Sequence, residues 1–182
     1  MRFVARDSFA HDDHDHEVQV PKARDGYRDG RYGPVYMSEP REPREELNDL
    51  LNGAVEVAAE MLEQDGEFEP FALAMRQDGE ILHLSPEESD EELEAEQVVE
   101  TLRKTLREAS SAYRAVAVVA DVTLEDENDE AMTAAIQVSM EHSIEEPVNC
   151  YVPYEFKGQA LELADLVGEP GERFVFGTER PN

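Results

Sequence analysis

Hydrophobic positions along this chain change their spacing several times, and each change marks an element. Over residues 45–64, Leu47, Leu50, Leu51, Ala54, Val57, Ala58, Met61 and Leu62 recur at i, i+3, i+4 and i+7, the stripe of an amphipathic helix. Pro43 suits its first turn, Glu45 and Glu46 suit the positive end of its dipole, and Gly66 suits its stop. Two short apolar runs, 71–75 and 81–84, then flank Arg76-Gln77-Asp78-Gly79-Glu80, and Asp-Gly between such runs predicts a β-hairpin. Ser89 with Glu92 three residues on forms a capping box for a second helix, whose inner face is Ala95, Val98, Val99, Leu102, Leu106 and Ala109. Its acids come early and Arg103, Lys104 and Arg107 come late, as the macrodipole favours.

Period two takes over beyond that helix. Residues 115–122 are apolar on both phases, which predicts a central strand covered on both sides. In 132–142 the even positions Met132, Ala134, Ile136, Val138 and Met140 are apolar, while Thr133, Gln137, Ser139 and Glu141 are polar. That alternation predicts one dry face and one wet face. Val148, Cys150, Val152, Tyr154 and Phe156 repeat it, with Pro153 pointing to an edge or a bulge. The tail, with Leu161, Leu163, Leu166, Val167 and then Phe174-Val175-Phe176, suits one or two short strands or a turn-rich cap. The predicted order is α-β-β-α-β-β-β: an α+β fold with an antiparallel sheet of about five strands and two amphipathic helices.

Residues 1–44 show neither period and read as a flexible or extended N-terminal arm, so residues 45–182 form a single acidic α+β domain. Charge sharpens this boundary. The chain of 182 residues carries 44 acids against 16 Lys and Arg, a formal charge of −28. The arm is nearly balanced, so the domain bears almost all of the excess. A body this negative repels phosphate backbones, which excludes direct nucleic-acid binding by that part. Scarce lysine with excess acid also suits a salt-rich cytoplasm, where carboxylates keep a surface hydrated. The single cysteine, Cys150, excludes an internal disulfide and sits on an apolar phase as a buried, inert thiol. The start has no apolar run of signal-peptide length, and no stretch approaches a membrane span, so the expected location is cytoplasmic.

Candidate chemistry is sparse. His11, His14 and His16, set among Asp12, Asp13, Asp15 and Glu17, have the ligand types of a transition-metal site but no rigid backbone to preorganise them. A plain solvated tract is the competing reading. Five carboxylates in residues 125–130 lack the spacing and glycine of a calcium loop and read as a hydrated turn. His83 and His142 are acid/base candidates if the sheet brings them to Glu141 or Tyr154, or to each other in one pocket. No serine elbow, phosphate-cradling glycine loop or dinucleotide fingerprint is present, so no cofactor is expected and the chain does not read as an enzyme. The arm's tandem Arg-Asp-Gly run offers Arg24, Tyr27, Arg28, Arg31 and Tyr32 to a partner or to the acidic body.

The order of elements is similar to that of profilin-like and roadblock-like modules, which implies an interaction or scaffold role by analogy of topology. A second resemblance rests on Phe68-Glu69-Pro70-Phe71-Ala72, Asp78-Gly79-Glu80, the strand ending in Glu141-His142, and Val152-Pro153-Tyr154. These look like the F-x-P-F-x…D-G-E hairpin, E-H strand end and P-Y strand of a family of small bacterial proteins of unknown role. The resemblance covers about residues 47–176; it implies one domain and no activity.

Three functions fit these observations. A non-catalytic module engages a basic protein partner, or a second copy of itself as a homodimer, with Thr133, Gln137 and Ser139 on the wet strand face as contact residues. A structural protein carries its charge only as salt adaptation. A small hydrolase or metal-dependent enzyme uses His83 and His142.

Overall fold

In a computed structural model of the chain, described over residues 3–6, 41–86, 93–126 and 129–177, the two helices lie on opposite faces of an antiparallel sheet. Helix α1 spans Pro43–Asp65 and α2 spans Ala95–Glu108. The strands are β1 (Phe3–Arg6), β2 (Phe71–Arg76), β3 (Ile81–Pro86), β4 (Tyr113–Asp126), β5 (Asp129–His142), β6 (Val148–Lys157), β7 (Ala160–Leu163) and β8 (Val167–Pro170). The sheet order is β1-β3-β2-β4-β5-β6-β7, with β8 also on β6. The class is α+β, and the sheet is wider than the five strands expected. Its additional members are four-residue strands, too short to display an alternation. One of them, β1, comes from the arm and pairs with β3 at the sheet edge.

Helix α1 forms where the stripe lies. Leu50, Ala54, Ala58 and Leu62 are buried against Leu73, Ala117, Val119, Ile136 and Val138. Each fully buried leucine contributes roughly 1.5–3 kcal/mol. The helix stops at Gly66, whose φ of 80° is left-handed and whose N–H donates to the Leu62 carbonyl at 2.9 Å. Helix α2 packs Val98, Leu102 and Leu106 over Ala72, Ala74, Val116 and Val118 on the other face. It begins later than the Ser89 box predicts. Glu94 is the N-cap, its N–H bonded to Gln97 Oε1 at 3.1 Å, and Ser89 and Glu92 lie outside the described residues. Strand β4, between β2 and β5, sends Ala115, Ala117 and Val119 into one core and Val116 and Val118 into the other, as its two apolar phases require. Among the described residues no helix is long and apolar enough to cross a membrane.

Pro153 is explained by a change of partner. Strand β6 pairs with β5 on one side through Pro153. On its other side it pairs with β8 as far as Tyr151 and with β7 from Tyr154 onward. The residue without an N–H falls in the gap between the two outer partners, where no ladder donor is needed.

Candidate functional site

Glu46 does not serve the helix dipole at the surface; it turns inward and is buried, 3% exposed. Its carboxylate meets His142 Nε2 at 3.0 Å and the Arg114 guanidinium. The backbone N–H of Ile144 donates to His142 Nδ1 at 3.2 Å, so Nδ1 is an acceptor and Nε2 carries the proton it gives to Glu46. Arg114 also donates to the Gln77 carbonyl at 3.2 Å. This node fastens the start of α1, the β2–β3 turn, the start of β4 and the end of β5 together.

His83 sits three strands away. Its ring lies 5.0 Å from that of Phe71. With β2 and β4 between β3 and β5, the strand spacing alone separates His83 from His142 by roughly 14 Å. An acid/base pair needs contact at about 3 Å, so these two histidines do not form one. Cys150 is buried, and burial pushes its thiol above its ordinary value. Tyr154 donates its hydroxyl to both oxygens of Asp121, at 3.0 and 2.9 Å. Burial first, and then that carboxylate, push its phenol up to about 12.

The polar phase of β5 is not one wet surface. Thr133 is exposed, Gln137 is half-buried, Ser139 is 5% exposed and Glu141 is fully buried at 0%. The expectation of a flat solvated face is corrected by the tail, which folds back over it. Glu141 Oε2 accepts the N–H groups of Phe174 and Val175 at 2.8 and 2.7 Å, and Oε1 accepts that of Phe176 at 2.9 Å. Arg173 Nη1 adds a longer contact at 3.4 Å. Three successive backbone donors around one carboxylate form an anion nest, which compensates its desolvation. Nothing in the local alternation distinguishes this glutamate from a solvated one.

Beside the nest, a cleft of about 460 Å³ opens between α2, β8 and the tail. Gln137, Ser139 and Asn149 line it together with Arg103, Arg107 and Arg173. Sequence reasoning assigned Arg103 and Arg107 only to the helix dipole. Thr133 belongs elsewhere, to a groove of about 240 Å³ formed with Pro153, Tyr154, Glu155, Glu162 and Leu163. The structure therefore brings Gln137 and Ser139 together and separates Thr133 from them.

His11, His14, His16, Arg24, Tyr27, Arg28, Arg31 and Tyr32 lie outside the described residues. Among the described residues no group of three or more His, Cys, Asp or Glu is placed to hold a metal ion. No family model, no curated protein and no solved structure matches this chain.

Proposed function

We propose that the chain is a non-catalytic interaction module that binds an extended, basic segment of a protein partner in the fork between β5 and the β6–β7 hairpin. The observation that carries this reading is the end of sheet pairing at Ala135 and Pro153. Beyond it β5 continues on β4 and β6 continues on β7, so the facing edges diverge around the 240 Å³ groove. Diverging strand edges offer main-chain hydrogen bonds to an added strand. Leu163 and Phe156, 42% and 41% exposed, supply apolar anchors beside it. Glu155 and Glu162 lie directly opposite each other, and both contact Lys157, which leaves the trio negative. Exposed Asp165 adds to that sign. The overall charge of −28 steers a basic partner and repels a second copy of the chain.

Engagement of the buried titratable groups by protein supports the non-catalytic part: Glu46 holds His142 and Arg114, and Glu141 holds the tail. The test is fluorescence anisotropy with a labelled peptide alternating lysine and valine, against one alternating glutamate and valine. Saturable, salt-sensitive binding of the basic peptide is expected. Leu163→Asp combined with Glu155→Lys and Glu162→Lys should weaken it at least about tenfold. Equal binding of the acidic peptide, or an unaffected triple variant, refutes the proposal; light scattering shows whether the chain pairs with itself instead.

A further inference from the structure

We infer that the cleft between α2, β8 and the tail is a binding site for a small polar molecule carrying a phosphate or carboxylate group. The inference is independent of the partner groove, because it rests on different residues. Its starting point is an imbalance. In a chain with 44 acids, Arg41, Arg76, Arg114 and Arg173 each meet a carboxylate within ion-pair distance. Arg103 and Arg107, one turn apart on α2, meet none among the described residues; exposed Arg44 also meets none, but only Arg103 and Arg107 line this cleft.

These two guanidinium groups are held in place without a contact ion pair among the described residues. Arg103 lies over the Phe174 ring, with Cζ 5.3 Å from the centroid. Arg107 donates through Nε to the Phe174 carbonyl at 3.1 Å, which leaves its terminal N–H groups uncommitted among the described residues. Phe174 is itself pinned by Glu141, so the tail sets the position of both arginines. Arg173 is oriented in the same way, through Glu141 and the Glu145 carbonyl.

A second observation points to a missing acceptor. Arg103 Nε is buried and has no hydrogen-bond partner among the described residues. Buried donors are almost always satisfied, and a small shift of the Arg103 side chain onto an oxyanion in the cleft would satisfy this one. The planar fork of a guanidinium matches two oxygens of a phosphate or carboxylate. Neutral Gln137, Ser139 and Asn149 supply donors and acceptors for the remainder of such a molecule, and the volume suits a small ligand. Glu100, Glu169 and Glu172 also line the cleft. They repel a polyanion, which favours a small ligand of low charge, and they accept hydrogen bonds from its hydroxyl or ammonium groups.

Thermal-shift titration of the full chain with inorganic phosphate, glycerol 3-phosphate and succinate tests this. Sodium chloride at matched ionic strength is the necessary reference, because screening alone stabilises so negative a protein. A saturable rise in Tm above chloride is expected for at least one anion. Preference for the phosphates or for succinate identifies which oxyanion the cleft takes. Arg103→Met with Arg107→Met should weaken the response at least about tenfold, the stems preserving packing, while Arg76→Met retains it. Phenylglyoxal labelling of the unaltered chain gives a second readout, in which the bound anion slows modification of Arg103 and Arg107 but not of Arg44. Responses no larger than chloride, an unaffected double variant, or labelling rates indifferent to the anions overturn the inference.

Discussion

Replacing Glu141 probes what holds the tail to the sheet. In Glu141→Ala, the N–H groups of Phe174, Val175 and Phe176 lose an acceptor they hold at 2.7–2.9 Å, in a position with no water access. Each hydrogen bond to a charged group is worth roughly 1.5–3 kcal/mol. The sum overstates the effect, because the buried carboxylate already bears several kcal/mol of desolvation. A local escape also caps it: once the tail detaches, its amides are hydrated, and the loss cannot exceed the docking energy of that segment. Phe174 and Val175, 7% and 4% exposed, dominate that energy, so a loss of about 3–5 kcal/mol is expected. Glu141→Gln preserves the volume but places an NH₂ against donors, costing about 2 kcal/mol. Urea unfolding measures both, and amide exchange at residues 174–176 should accelerate as a unit. A Gln variant within about 0.5 kcal/mol of the original, with those amides still protected, would refute the anchoring role.

Other expectations follow from single positions. Tyr154 should form phenolate only near pH 12, as followed by ultraviolet absorbance, and Asp121→Asn should lower that midpoint. Because its folded value lies above the ordinary 10.0, its stabilisation is complete below pH 10 and is lost as pH rises towards 12, which alkaline unfolding curves can verify. The Cys150 thiol should resist a disulfide reagent at neutral pH until the chain unfolds, so its labelling rate should track urea unfolding. Gly79 has φ of +95°, so Gly79→Ala should cost about 1 kcal/mol in the same denaturation assay.

Periodicity revealed the elements whose partners are uniform along their length. The stripe of α1 and the doubly apolar β4 each pack against one continuous environment per face, so sequence spacing and burial coincide. It failed where a distant segment changes the environment partway along an element. Ser139 and Glu141 read as solvated because they share a phase with Thr133, yet residues more than 30 positions later cover them. Glu46 similarly looks like any first-turn acid, and only Arg114 on β4 and His142 at the end of β5, 96 positions away, give it a buried role. Pro153 pointed to an edge or a bulge; it lies instead inside β6 where β8 gives way to β7, a change of neighbour that no local pattern encodes. The contact residues chosen from the polar phase were divided between two cavities, because Thr133 lies beyond the fork and Gln137 and Ser139 lie before it.

The nest around Glu141 also has a consequence in time. The carboxylate leaves the ribosome 33 residues ahead of its first amide partner. At roughly 5–20 residues per second, that interval is on the order of seconds. During it α1, α2 and β2 to β5 are already synthesised, while the α2 face lacks Phe174 and Val175 and the arginine cleft has no outer wall. The nascent chain therefore passes through a stage in which β6 and β7 complete the α1 face of the sheet while the α2 face still lacks its tail. Anything that recognises the unfinished face has those seconds in which to act, and closure of three amides on one glutamate ends them.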